Sequence, residues 1–158
     1  MEAKVLIYDA LHPDGIGMLR ADGLQVGTQA DNSAGLIGGI RDYNALVVRR
    51  TEVTREILEA GRQGEGKLEL VVRAGSGYDN IDVNAATEFG IYVMNAPNGN
   101  AVSAAEHTMR LMLLLPSHAL KATFSLRSKG YWIGKQKLIG DALDGKTLGI
   151  IGCGNVGQ

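Results

Sequence analysis

The chain has a single cysteine, Cys153, among its 158 residues. No internal disulfide can form, which excludes the stapled scaffolds of small secreted domains and fits a reducing compartment. No charge of either sign dominates: 16 Lys and Arg stand against 17 Asp and Glu, for a formal net charge of −1. That balance favours neither a nucleic acid nor an acidic membrane surface as partner. Long apolar runs are missing too. The longest, residues 111–115 (LMLLL), is far too short to cross a bilayer. The N-terminal MEAKVLIYDA carries acidic Glu2 and only a short apolar run, so it does not read as a secretory signal. The expected location is the cytoplasm.

Glycine is what the chain has in excess, 22 of 158 residues, within a composition that is 45% apolar and 21% charged. The apolar and charged shares are ordinary for a soluble globular protein. The length suits one domain, or one and a part. In an α/β chain so much glycine reports many tight turns.

Short apolar runs alternate with helix-like segments along the first hundred residues. Residues 4–9 (KVLIYD) read as a first strand buried on both faces. His12-Pro13-Asp14 opens a helix, Pro13 suiting its first turn, and Gly23 ends it. Residues 24–26 form a second strand. Ser33 is placed to cap a weak helix over residues 34–40, weakened by Gly35, Gly38 and Gly39. Residues 44–48 (NALVV) make a third strand that ends at Arg49-Arg50-Thr51. Thr54 is placed to cap a helix over residues 55–60, and residues 61–66 read as an exposed glycine-rich turn. A fourth strand covers residues 68–72, a helix residues 82–89 closed by Gly90, and a fifth strand residues 91–94. This alternation predicts a parallel sheet with helices on both faces, in a flavodoxin-like arrangement. Such sheets bind ligands outside the carboxyl ends of their strands. Three of those ends carry candidate ligand groups: Arg49, the run from Arg73 to Gly77, and the run from Asn95 to Asn100.

The middle candidate is the most informative. The apolar run Leu70-Val71-Val72 breaks at Arg73-Ala74-Gly75-Ser76-Gly77. Two close glycines let the backbone turn tightly and approach a ligand. Successive N–H groups in such a turn form a concavity for an anion, a carboxylate or phosphate. Arg73 at the rim adds a planar, permanent cation suited to the same groups. The bland alternative is that the glycines only shape a turn and that Arg49 and Arg73 are solvated charges.

Farther on, Asn98-Gly99-Asn100 reads as a hinge before a long helix, capped by Ser103 or by Asn100 with Ser103. Ala104, Ala105, Thr108, Leu111, Met112 and Leu115 give that helix a wide apolar face, and Pro116 is expected to end or kink it. A second helix is expected over residues 117–128, then an irregular connection to Gly140 and a turn at Asp144-Gly145. Residues 146–151 (KTLGII) read as another buried strand. It feeds Gly152-Cys153-Gly154-Asn155-Val156-Gly157, a G-x-G-x-x-G loop. The glycines provide a tight turn, close backbone approach to a pyrophosphate and close helix packing. Cys153 is expected as a small apolar member of this loop.

The run RAGSGYDNIDVNAATEFGIYVMNAPNGNAVSAAEHT, residues 73–108, resembles the signature of the D-isomer-specific 2-hydroxyacid dehydrogenases, most closely their phosphoglycerate-oxidising branch. The resemblance runs from about residue 4 to Gln158. It implies a flavodoxin-like substrate domain, residues 1–98, followed by linking helices and the first elements of a Rossmann nucleotide-binding domain, residues 99–158. It implies NAD-dependent oxidation of a D-2-hydroxy acid, foremost 3-phospho-D-glycerate to 3-phosphohydroxypyruvate, a step of serine biosynthesis. A glyoxylate/hydroxypyruvate reductase is the alternative within the class, and a non-catalytic co-repressor-like module the alternative outside it.

By the same resemblance, the backbone at Gly75, Ser76 and Gly77 receives the substrate carboxylate, Arg49 and Arg73 face its phosphate end, and Asn100 lines the cleft. Ser76 also approaches the nicotinamide, while Gly152, Gly154, Asn155, Val156 and Gly157 hold the NAD pyrophosphate. The family's catalytic Arg, Glu and His fall after the G-x-G-x-x-G loop, so none is expected before Gln158. Turnover by these 158 residues alone is not expected. His12, His107 and His118 lie outside that catalytic context, and the adjacent Glu106 and His107 point to different helix faces. The sequence departs from the branch's usual pattern at Ala96, Cys153 and Asn155, where Thr, Leu and Arg are common. The last removes an extra positive contact to cofactor phosphates. The implied partner is a small 2-hydroxy or 2-keto acid, with neither nucleic acid nor membrane, and the parent protein is expected to be a homo-oligomer.

Overall fold

The first hundred residues form five short parallel strands, the central ones on apolar β-branched and leucine runs. In the computed structural model, which describes residues 3–28, 35–129 and 134–158, these are β1 Lys4–Ile7, β2 Gln25–Thr28, β3 Ala45–Val48, β4 Leu70–Arg73 and β5 Tyr92–Asn95. The chain divides into two compact units, Met1–Gly99 and Asn100–Gln158.

In the first unit the sheet order is β2-β1-β3-β4-β5. This is the doubly wound, flavodoxin-like order, with its direction reversing between β1 and β3. The register pairs Val5 with Ala45, Ala45 with Leu70, and Leu70 with Tyr92, so the carboxyl ends finish along one rim. Strand alternation sends Leu6, Leu46, Val48 and Val71 to one face. There they meet Leu36 of α2 (Gly35–Gly39), Ile57 and Leu58 of α3 (Arg55–Arg62) and Ala85 and Ala86 of α4 (Val83–Glu88). Val5, Ile7 and Val47 go to the opposite face, under Ile16 and Leu19 of α1 (Pro13–Ala21).

Several local expectations shift. The β1 strand stops at Ile7, which frees Asp9 for a different task. Asp82 caps α4 by accepting the N–H of Ala85 at 2.9 Å. Thr54 stands at the N-cap of α3 but its side chain makes no capping bond. Helix α3 continues to Arg62 instead of ending before Gly61, because buried Gly61 leaves room for Leu68 against the helix. Ser33 and Ala34, expected to open α2, and residues 130–132 fall outside the described residues.

The second unit holds α5 (Ala101–Leu114) and α6 (Ala119–Lys129), followed by a short 3-10 turn, Lys135–Leu138. Asn100 is the N-cap of α5, yet neither its side chain nor Ser103 caps; the Asn100 carbonyl instead accepts the Ala104 N–H at 2.9 Å. The expected apolar face is only partly covered: Ala104, Ala105 and Met112 are half-buried, while Thr108, Leu111 and Leu115 are exposed. Residues 146–151 are not a strand, and Leu148, Ile150 and Ile151 are exposed. A parallel strand satisfies its backbone only through neighbouring strands, and none is found among the described residues of this unit. Among the described residues no helix is long and apolar enough to cross a membrane.

Candidate active site at the carboxyl rim of the sheet

Where the sheet reverses direction, the ends of β1 and β3 are joined by one carboxylate. Asp9 Oδ2 accepts the backbone N–H groups of Arg49, Arg50 and Thr51 at 2.6, 2.8 and 3.0 Å, and Oδ1 accepts the Thr51 hydroxyl at 2.8 Å. Burial alone pushes the Asp9 carboxyl up. The bonds from Thr51, Arg49 and Arg50 outweigh it and bring it down to about 2. Asp9 therefore stays ionised and pins the loop that carries Arg49.

That loop is tied onward to the end of β4. Arg73 Nε donates to the Arg49 carbonyl at 3.2 Å, and Asn80 Nδ2 donates to the Thr51 carbonyl at 2.7 Å. The structure thus ties the Arg73 side chain to the backbone of the Arg49 loop along the carboxyl rim, while the Arg49 guanidinium itself donates to the Ala10 carbonyl at 3.5 Å. Gly75 gives the Arg73 guanidinium its place: a Cβ on it would run into Nη1, with Cζ only 2.6 Å away, and Arg73 would have to move. Arg73 is neither a free surface charge nor interchangeable with lysine, since its planar fork lies across the glycine.

The loop itself is held from β5. The Ala96 N–H donates to the Gly75 carbonyl at 2.9 Å, and Asn95 Nδ2 donates to the Ser76 carbonyl at 2.6 Å. Among the described residues the N–H groups of Ser76 and Gly77 have no partner. They are successive donors at a half-buried turn, the arrangement that accepts an anion. Asp79 folds back alongside, its Oδ1 lying 2.8 Å from where a Gly77 Cβ would sit, so a side chain at 77 would displace it.

The remaining predicted residues belong to the second unit. Asn100 begins α5. In the G-x-G-x-x-G loop, Gly152 has φ of 94°, a conformation that favours glycine. A Cβ on Gly157 would strike the Gly152 carbonyl oxygen, and the N–H groups of Gly157 and Gln158 donate to the Gly154 carbonyl at 3.0 and 3.2 Å. The Gly157 contact lies within the turn itself. The helix–strand packing expected of Gly157 does not form among the described residues, where neither element is present, and Gly154 has open space around it. Asn155 and Val156 lie in this turn, and Cys153, expected as an apolar member of the loop, is exposed.

One group at the rim was not singled out from sequence, Asp9, and Asn95 was marked only as the start of a candidate run, without its role. Asp9 is a polar residue just after an apolar strand run, which is the one signal that could have marked it.

A family profile, the catalytic domain of D-isomer specific 2-hydroxyacid dehydrogenase, matches residues 5–157. The chain belongs to the D-isomer-specific 2-hydroxyacid dehydrogenase family. It is 45% identical over 157 residues to the D-3-phosphoglycerate dehydrogenase of Methanocaldococcus jannaschii, covering 98% of this chain and 29% of that protein. The human D-3-phosphoglycerate dehydrogenase is 43% identical, with 98% of this chain and 28% of that protein covered. Among solved structures, the NAD+-bound 3-phosphoglycerate dehydrogenase of Entamoeba histolytica is 30% identical with a TM-score of 0.72, over 99% of this chain and 47% of that one. The chain spans less than a third of the length of these curated relatives. Within this dehydrogenase family, the first unit supplies the five-stranded flavodoxin-like sheet and the second carries the glycine loop.

Proposed function

We propose that residues 1–99 are the substrate domain of an NAD-dependent oxidoreductase acting on the CH–OH group of a D-2-hydroxy acid. The substrate that best fits is 3-phospho-D-glycerate, oxidised to 3-phosphohydroxypyruvate. One observation carries this: the unpaired N–H groups of Ser76 and Gly77 sit in a loop whose preceding Arg73 is bonded to the Arg49 carbonyl. Successive amides suit a carboxylate, and the Arg73 guanidinium at the rim suits a second, phosphate-bearing end. Arg49, whose Nη1 donates to the Ala10 carbonyl at 3.5 Å, is on the adjoining loop. Each hydrogen bond to a charged group contributes about 1.5–3 kcal/mol. Binding at both ends orients the carbon between them for reaction.

In this assignment Gly75, Ser76 and Gly77 hold the carboxylate, Arg49 and Arg73 the phosphate, and Asn100 contributes a polar group to the cleft. Gly152, Gly154, Asn155, Val156 and Gly157 fit a dinucleotide pyrophosphate by their backbone turn, and Ser76 would lie near the nicotinamide. NAD held there would supply the hydride acceptor for the substrate carbon. None of His12, His107 and His118 is assigned the acid–base role. The family's Arg, Glu and His after the glycine loop would supply it, so these 158 residues alone should not turn over. The working enzyme is proposed to be a cytoplasmic homo-oligomer.

Titration of the ¹⁵N-labelled chain with 3-phosphoglycerate tests the site. The amides of Ser76 and Gly77 should shift most. Arg73→Ala should weaken this ligand roughly tenfold or more, the loss of one charged contact, while D-lactate is little changed. An equal loss for both acids would favour an unphosphorylated substrate, as in a glyoxylate/hydroxypyruvate reductase. Shifts confined to other parts of the sheet would refute the site.

A further inference from the structure

We propose that Asn95 is a positioning residue for the acid-binding loop: its side-chain amide fixes the direction in which the Ser76 and Gly77 N–H groups point. This rests on the assignment of that loop as the carboxylate site. Register places Asn95 beside Arg73, at the last paired position of β5. Its neighbours Tyr92 and Met94 are exposed, whereas Val93 and Asn95 are half-buried on the other side of the strand. From there Asn95 Nδ2 reaches the Ser76 carbonyl at 2.6 Å, and the next backbone N–H, that of Ala96, takes the Gly75 carbonyl at 2.9 Å.

Two consecutive carbonyls are therefore clamped toward the end of β5. In a trans peptide the C=O and the following N–H point in opposite directions, and no cis peptide occurs among the described residues. The Ser76 and Gly77 N–H groups are consequently turned away from β5, side by side. The two clamps differ in kind. Ala96 supplies a main-chain donor that any residue there except proline would provide. The Ser76–Gly77 peptide depends on one side chain. Glycine at 77 gives that peptide freedom to rotate, and a half-turn would present the Ser76 carbonyl oxygen to the acid in place of the Gly77 N–H. A donor becomes an acceptor facing a carboxylate, a reversal that costs binding without altering the sheet.

Asn95→Leu keeps the size and removes the donor. Dissociation constants for 3-phosphoglycerate and for inorganic phosphate are measured by titrating the ¹⁵N-labelled 158-residue chain. The expected result is a rise of roughly tenfold or more for 3-phosphoglycerate and less than about twofold for inorganic phosphate, with a changed Gly77 amide shift in the free protein. If the leucine variant does not fold, Asn95→Ala removes the same donor without added bulk and is read identically. Unchanged 3-phosphoglycerate binding in a folded variant overturns the role of Asn95 and leaves the site assignment standing. Equal weakening of both ligands makes Asn95 merely structural and also overturns it. A wild-type chain whose Ser76 and Gly77 amides do not respond to 3-phosphoglycerate removes the site itself, and the proposal with it.

Discussion

Asp9→Asn should cost stability that depends on pH in a defined way. Asp9 accepts three backbone N–H groups and a hydroxyl, and its pKa falls from 3.8 to about 2 on folding. A folded-state value below the unfolded one means the contribution is complete above 3.8 and drains away as pH falls toward about 2. At 1.36 kcal/mol per unit the shift corresponds to roughly 2.4 kcal/mol, and solvent at this partly exposed group trims it to about 1–2 kcal/mol. Asparagine keeps the shape and one acceptor but loses the charge. Urea unfolding of the first unit, followed through amide signals of β1 and β3, should show wild type more stable than Asp9→Asn by about 1–2 kcal/mol at neutral pH. That gap should narrow steadily below the unfolded pKa and vanish near the folded one. A difference constant across the acid range, or one that widens in acid, would refute the ionised bracket.

Gly75→Ala should be worse than its size suggests, because the added methyl meets the Arg73 guanidinium. Displacing that group breaks the bond from Arg73 Nε to the Arg49 carbonyl, so stability should fall by about 1–2 kcal/mol and affinity for 3-phosphoglycerate about tenfold, read by thermal melting and titration. Leu46→Ala, at a fully buried position in the centre of the sheet, should cost about 2–5 kcal/mol in urea unfolding and leave ligand affinity unchanged in the fraction that remains folded.

How much of this was legible beforehand differs from element to element. Strands β1, β3 and β4 show in sequence because each is a short apolar run set between glycine or polar turns, as a strand inside a parallel sheet requires. The edge strand β2, Gln25–Thr28, is instead mostly polar and shifted from the expected residues 24–26, and the edge strand β5 leaves Tyr92 and Met94 exposed. Arg49, Arg73 and the Gly75–Gly77 loop show because glycine spacing after a strand predicts a backbone turn. The strand expected at residues 146–151 fails for a reason no local pattern contains. Apolar side chains permit a strand, but neighbouring strands must supply its hydrogen bonds, and the second unit has none among its described residues. Thr54 and Ser103 fail more simply: a good capping residue near a helix start does not oblige its side chain to cap.

By itself the amino-acid order determined the alternation of strand and helix, the family and the loop that turns at the carboxyl rim, because these follow from local patterning along the chain. Only the tertiary structure decided that Asp9 is a bracket and not the end of a strand, that Arg73 lies across Gly75, and that Asn95 holds the Ser76 carbonyl. Each of those contacts joins residues 2 to 42 positions apart through the geometry of a folded backbone. Hydrogen bonds and close packing depend on distance in space, and spacing in sequence does not encode it.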